Sequence, residues 1–294
     1  MEISNILFVV NPITGKNRQS QFPDLVKRYL LNNIKYDIVK SEKVGHSRKL
    51  AAEAVASNKY KAIVAVGGDG TVNEVGSQLI HSDVKLGIIP NGSGNGLARE
   101  LGIPLNMIKA IGLLNHFSST TIDAGKVNGH PYFCTAGVGF DAHIGKLFAQ
   151  SKTRGFSTYV QKVIGAYWSY NPAEYLIYNG NPNPQKEKAF AITLANAKQY
   201  GNNAYIAPDA KMNDGKLNLC IIKPFPRYKM LELGSRLFMG NINRSLFYKS
   251  WLVESVKIEN AHADCFHLDG EHLPLSDGKL QFEVISSALQ VITP

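Results

Sequence analysis

Residues 62–66 are apolar without a break and lead directly into Gly67-Gly68-Asp69-Gly70-Thr71-Val72-Asn73-Glu74. An unbroken apolar run of this length suits a strand buried on both faces, as in the interior of a parallel sheet. Glycines permit positive φ and close backbone approach, so the turn that follows can present N–H groups to a phosphate. Thr71 and Glu74 have capping-box spacing, which predicts Thr71 as the N-cap of a helix over 72–80 with its dipole aimed at the same anion. Asp69 is the odd member. A carboxylate beside phosphates is repelled unless a cation lies between them or it handles a proton. The same residues would also serve an ordinary strand-to-helix turn with Asp69 as turn former.

Around this segment the first 115 or so residues alternate short apolar runs with amphipathic stretches. The pattern predicts an α/β domain with strands at 3–10, 36–39, 62–66 and 86–89 and helices at 19–31, 47–57, 72–80 and 105–115. Past residue 117 the period changes. Runs at 121–127, 130–135, 174–178, 189–195, 216–222, 253–259 and 280–285 read as strands, the first two joined by the hairpin signal Asn128-Gly129. Two domains follow: 1–118, α/β, and 119–294, mostly β.

Lys and Arg number 32 against 23 Asp and Glu, a net charge of +9 that would attract nucleotides, nucleic acid or anionic membranes. No run of like charges and no basic tract interleaved with aromatics supports nucleic acid as partner. The opening residues lack a signal-peptide pattern and no stretch is long enough to span a bilayer, so the expectation is a cytoplasmic protein with peripheral membrane contact at most. A homodimer is compatible with the sequence. Cys134, Cys220 and Cys265 are odd in number and far apart, which suits reduced, buried thiols.

Three further motifs carry candidate chemistry. Asn11-Pro12-Ile13-Thr14-Gly15-Lys16 is a polar loop after the first strand, able to offer N–H groups, the Thr14 hydroxyl and Lys16 to a nucleotide, although an ordinary loop would look similar. Pro90-Asn91-Gly92-Ser93-Gly94-Asn95-Gly96 follows the fourth strand. It is no dinucleotide fingerprint, because Leu97 stands where a third glycine is needed. Leu268-Asp269-Gly270-Glu271 sets two carboxylates across a turn, fit either for a hairpin tip in solvent or for deprotonating a hydroxyl during phosphoryl transfer. Residues 145–170 interleave cations with an apolar stripe at 156, 159, 163 and 167, which reads first as core contact and second as a lipid entrance.

Gly67-Gly68-Asp69-Gly70-Thr71, with the other motifs in order, resembles the diacylglycerol kinase catalytic superfamily, which includes bacterial lipid kinases and sphingosine kinases and, more distantly, NAD kinases and phosphofructokinases. The resemblance spans nearly the whole chain. It implies an NAD kinase-like or phosphofructokinase-like parallel sheet, a β-sandwich second domain, and a C-terminal segment returning to the first domain. It implies ATP with Mg²⁺ as cofactors and a lipid such as diacylglycerol or a sphingoid base as substrate. Nucleotide contacts would come from Asn11, Pro12, Ile13, Thr14, Gly15, Ser41, Gly67, Gly68, Asp69, Gly70, Thr71, Val72, Asn73, Ser93 and Asn95, with Asn95 orienting the nucleotide. Asp269 or Glu271 would be the catalytic base, with Asp69 coordinating metal or sharing the proton transfer. Asp214 and the carbonyls of Lys211 and Lys216 would hold a structural magnesium, with Asp123 in the same acidic network. Gly96 departs from the pattern, since many members carry an acid there; Gly92-Ser93-Gly94-Asn95 is closer to the sphingosine kinases. The alternatives are an NAD kinase-like enzyme and a catalytically silent lipid- or nucleotide-binding regulator.

Overall fold

The computed structural model describes residues 5–12, 21–116, 118–149 and 165–294. The chain forms two compact units, Met1–Ile122 with Ser287–Pro294, and Asp123–Ser286.

In the first unit β1 (Asn5–Val10), β2 (Lys35–Lys40), β3 (Ala62–Gly67) and β4 (Lys85–Pro90) form a parallel sheet in the order β2-β1-β3-β4. Every residue of β3 is buried, as its unbroken apolar run requires, whereas β2 lies on the edge and alternates only weakly. The helices are α1 (Phe22–Tyr29), α2 (His46–Ala56), α3 (Asp69–Gly76), α4 (Gly96–Glu100) and α5 (Met107–Leu113). Phe8 and Phe22 meet edge to face at 5.5 Å in a core that also takes Val26, Val64, Ile89 and Ile111. Burying each of these side chains is worth about 1.5–3 kcal/mol. The C-terminal segment completes this unit. Val291 pairs with Leu86 in parallel, Ile292 enters the core, Ala288 O accepts the His81 N–H at 2.8 Å, and Thr293 N donates to Ser118 O at 3.1 Å.

The second unit holds two antiparallel sheets. Its strands are β5 (Ser119–Val127), which enters it at Asp123, β6 (His130–Tyr132), β7 (Thr135–Gly139), β8 (Ala173–Tyr178), β9 (Gln185–Ala189), β10 (Ala191–Ala195), β11 (Leu217–Ile222), β12 (Tyr248–Val253), β13 (Ser255–Glu259), β14 (Cys265–Leu268), β15 (Glu271–Pro274) and β16 (Lys279–Ile292), which leaves it after Ser286. One sheet runs β12-β11-β10-β7-β14-β15; in the other, β13 pairs with β16 on one side and β8 on the other, with β9 beyond β8. Val138, Ile192, Leu219 and Phe266 from the first sheet share a core with Tyr175, Ile177, Ile258 and Phe282 from the second. A second core, rich in aromatics (Phe140, Tyr167, Phe190, Phe225), lies under α6 (Phe140–Ala149) and α7 (Met230–Phe238).

Several boundaries differ from the sequence pattern for identifiable reasons. The 130–135 run bends at Phe133 and Cys134, whose N–H groups go to the Asp269 carboxylate instead of a ladder. The runs 189–195 and 253–259 each break near Phe190 and Glu254, where the chain leaves one sheet for the other. Asn128 and Gly129, at φ 47° and 84°, make the expected tight hairpin between β5 and β6.

Candidate functional site

The carboxyl ends of the four parallel strands are level, with Val10 opposite Lys40 and Val66, and Gly67 opposite Pro90. The residues just beyond them therefore share one edge. Because β1 and β3 are neighbours while β2 lies outside, this edge includes the point where strand order reverses, the usual ligand crevice of open α/β sheets.

Two glycine loops meet there. Gly68 and Gly92 touch backbone to backbone: a Cβ on Gly92 would stand 2.6 Å from the Gly68 Cα. Asp69 locks them together, its Oδ2 accepting from Asn95 N at 2.9 Å and its Oδ1 from Gly96 N at 2.6 Å. Asn95, left-handed at φ 54°, closes its own loop by accepting from Gly92 N (3.0 Å) and donating to Gly92 O (2.8 Å). Its side chain thus secures the loop. Thr71 departs from expectation. Helix α3 starts at Asp69 with Gly68 as N-cap and no side-chain cap, so Thr71 is inside the helix. There it packs against Gly67, where a Cβ would come 2.5 Å from its Oγ1, and that oxygen accepts from Asn11 Nδ2 at 3.0 Å. Glu74 reaches another loop, accepting from Gly45 N at 2.8 Å.

Of the other predicted contacts, Ser41 is buried with its hydroxyl directed at Val10 O (3.5 Å), Val72 and Asn73 are buried in α3, Pro12 is half-buried, and Ser93 is exposed. Ile13, Thr14, Gly15 and Lys16 lie outside the described residues. The N–H groups of Gly68, Gly70, Thr71, Ser93 and Gly94 are taken by no acceptor among the described residues. Unspent donors at a helix start form an anion-binding concavity.

In the second unit the two acids of the late motif are not alike. Asp269, left-handed at φ 47°, accepts from three consecutive N–H groups: Phe133 at 2.9 Å, Cys134 at 2.7 Å and Thr135 at 3.2 Å. It is a structural anchor that pins the β14–β15 turn to the start of β7. Glu271 opens β15, exposed, with no partner for its carboxylate among the described residues. Asp123 is buried and accepts from Gly215 N at 2.7 Å, holding the turn in which Asp214 lies exposed with Oδ1 accepting from Lys216 N at 3.1 Å. The other Asp214 oxygen has no hydrogen-bond partner among the described residues. A carboxylate oxygen of this kind is the hard donor type that magnesium takes.

A partly buried network escaped the sequence reading. Asp141 Oδ2 lies 2.9 Å from Thr193 Oγ1, 3.2 Å from Tyr200 OH and 2.9 Å from His267 Nε2. It ties the start of α6 and strand β10 to β14, two residues before Asp269. The available signal was an acid directly after Gly139-Phe140, where a strand gives way to a helix. In the 145–170 stripe, Tyr167 packs on Phe140 and Phe225 as a core residue, while positions 156, 159 and 163 lie outside the described residues.

Residues 5–127 match the diacylglycerol kinase catalytic domain, and residues 134–293 match the YegS C-terminal NAD kinase beta sandwich-like domain. A probable lipid kinase YegS-like protein of Pseudomonas aeruginosa strain PAO1 is 33% identical over 85% of this chain and 82% of its own. The chain belongs to the YegS-like and diacylglycerol kinase family of lipid kinases. A diacylglycerol kinase of Bacillus subtilis strain 168 is 30% identical over 83% of this chain and 81% of its own. The crystal structure of a diacylglycerol kinase from Bacillus anthracis strain Sterne covers all of this chain and 98% of its own with a TM-score of 0.75 at 19% identity, a likeness of fold. Within this lipid kinase, the α/β unit corresponds to the catalytic-domain match and the antiparallel unit to the sandwich match. No helix among the described residues is long and apolar enough to cross a membrane.

Proposed function

We propose that this lipid kinase transfers the γ-phosphate of ATP to a hydroxyl of a membrane lipid such as diacylglycerol or a sphingoid base, working from the cytoplasm. The observation that carries the reading is the pair of glycine loops clamped by Asp69, with the N–H groups of Gly68, Gly70, Thr71, Ser93 and Gly94 unspent. Such donors are already oriented, so they stabilise the charge of a transferring phosphoryl group without reorganising. Magnesium, when bound, would neutralise phosphate charge; the Asp214 turn is the candidate structural site, where Asp214 and the carbonyls of Lys211 and Lys216 would hold it. Glu271 is the base that accepts the hydroxyl proton, since its carboxylate is unengaged while Asp269 is fully occupied with backbone donors. Asp69 positions the phosphate loops.

Incubating the purified protein with labelled ATP, Mg²⁺ and a panel of diacylglycerol, monoacylglycerol, sphingosine, ceramide and NAD tests this reading. A labelled lipid is expected. Label in NAD alone, or no transfer to any acceptor, would reject it.

A further inference from the structure

Six residues stand in register across the sheet β12-β11-β10-β7-β14-β15: Ser250, Cys220, Thr193, Gly137, His267 and His272. Residues directly opposite in antiparallel strands share a face, so this row is continuous on one side of the sheet, and each member is polar or small. The other side of the same strands is apolar, with Ile192, Leu194, Phe266 and Leu268 in the core between the sheets. Gly137 is the gap in the row. A Cβ there would stand 2.2 Å from Ile192 O, so no side chain separates Thr193 from His267 on this face. The Asp141 carboxylate, from the first turn of α6, bridges the gap. Its Oδ2 is 2.9 Å from both Thr193 Oγ1 and His267 Nε2, and its Oδ1 accepts from Ala142 N at 2.8 Å. An ionised carboxylate only accepts, so the imidazole donates its Nε2–H.

This bridge bears on the hairpin that carries Glu271. Strand β15 is a sheet edge of four residues paired with β14, and β14 meets β7 at two positions, His267 with Gly137 and Leu268 with Ala136. Burial of Phe266 and Leu268 holds the hairpin to the core but is non-directional. Hydrogen bonds fix its place: those of Asp269 to the start of β7, and that of His267 to Asp141. Thr193 and His267 are only 1% and 4% exposed. Buried polar groups cost stability unless bonded, and apolar residues of the same volume would hold the sheet at least as well, so what the network supplies is placement. A reacting group misplaced by about 1 Å loses on the order of 100-fold in rate.

We infer that Asp141 is a positioning residue for phosphoryl transfer, which by holding His267 against α6 fixes the β14–β15 turn and with it the place of Glu271. The inference rests on the lipid-kinase reading with Glu271 as base, and it names the residue that aims that base.

The test uses the full chain as parent, Asp141→Asn, His267→Ala and His267→Gln, with Lys146→Met as control. Lys146 also joins α6 to the β14 end, through an exposed ion pair with Asp264 at 2.5 Å, and its loss should leave exchange and turnover at parental values. Amide hydrogen exchange over 265–274, read by mass spectrometry, should quicken at least about tenfold in Asp141→Asn and His267→Ala while 217–222 keeps the parental rate. With saturating Mg²⁺-ATP and the lipid that the parent phosphorylates best, kcat of these two should fall about 10- to 100-fold at unchanged KM for ATP. His267→Gln, whose amide returns an N–H at the reach of Nε2, should regain most of both losses. In a Glu271→Gln background, Asp141→Asn should lower kcat no further. Parental exchange over 265–274, faster exchange with parental kcat, an equal loss in Lys146→Met, or losses that multiply in the double variant would each overturn the proposal. Should Asp141→Asn fail to fold by circular dichroism, the two His267 variants carry the same test. If the parent phosphorylates no lipid, the kinase reading fails, and faster exchange over 265–274 in the variants would leave the clamp on the hairpin standing without it.

Discussion

Asp269 and Glu271 are two residues apart, and their surroundings predict opposite failures. Glu271→Gln removes an unengaged carboxylate, so kcat should fall roughly 10²- to 10⁴-fold with nucleotide affinity and melting temperature nearly unchanged. Asp269→Asn turns an amide NH₂ or a neutral oxygen toward three backbone donors. Losing charge-assisted bonds of this kind costs about 1.5–3 kcal/mol each, so this variant should melt several degrees lower. Calorimetry with ATP alongside a turnover assay separates the two, and a Glu271→Gln enzyme of parental kcat would remove it as the base. Cys220 gives a different residue-level expectation. Burial pushes its thiol up to about 12, from an ordinary 9.0. The folded state favours the neutral thiol, so its contribution is fully present below pH 9 and is lost as pH rises toward about 12. Over that window the melting temperature of Cys220→Ala should decline less steeply than that of the parent. Cys134, Cys220 and Cys265 are all buried and unbridged, so thiol reagents at neutral pH should label none of them until the protein is denatured.

At the scale of elements, the glycine loops behave as one object. Gly92→Ala would drive a Cβ into the Gly68 backbone and part the two loops, shifting the unspent N–H groups. Nucleotide binding should weaken by about tenfold or more, about 1.4 kcal/mol. Gly112→Ala is the control: it lies within α5 with nothing inside 4 Å of the added Cβ, and should stabilise by about 0.5–1 kcal/mol. A Gly92→Ala protein with parental nucleotide affinity would show that the loops do not act together. The strands of the parallel sheet were legible because burial on both faces writes an unbroken apolar run, and β3 is the plainest case. The glycine-rich turns after β3 and β4 were legible for a similar reason, since such turns are local. What Asp69, Asn95 and Thr71 do with their side chains was not legible. Asn95 turns back on Gly92 within its own loop, but the partners of Asp69 and Thr71, Gly96 and Asn11, are chosen by tertiary placement, and no local pattern encodes a carboxylate that caps a helix 27 residues away. The short strands β14 and β15 were hidden likewise, because four residues give too little alternation to separate a strand from a loop.

At the scale of the whole molecule, residues 287–294 belong to a unit otherwise built from residues 1–122. Removing them deletes Val291 beside β4, Ile292 from the core and the acceptor for His81 N–H. Such a truncation should expose the α/β unit to limited proteolysis within 5–116 while cleavage in 123–286 stays slow, a pattern readable by mass spectrometry of the fragments; equal resistance of both proteins would show that the last segment is dispensable. The same arrangement sets a timetable for the ribosome. The α/β unit is translated first yet cannot be finished until the last eight residues emerge, whereas the sandwich, encoded without interruption, is complete as soon as residue 286 is out. The half made first is therefore the half completed last, and during synthesis it is the α/β part of the chain that waits, with one side of β4 uncovered, for residues 287–294.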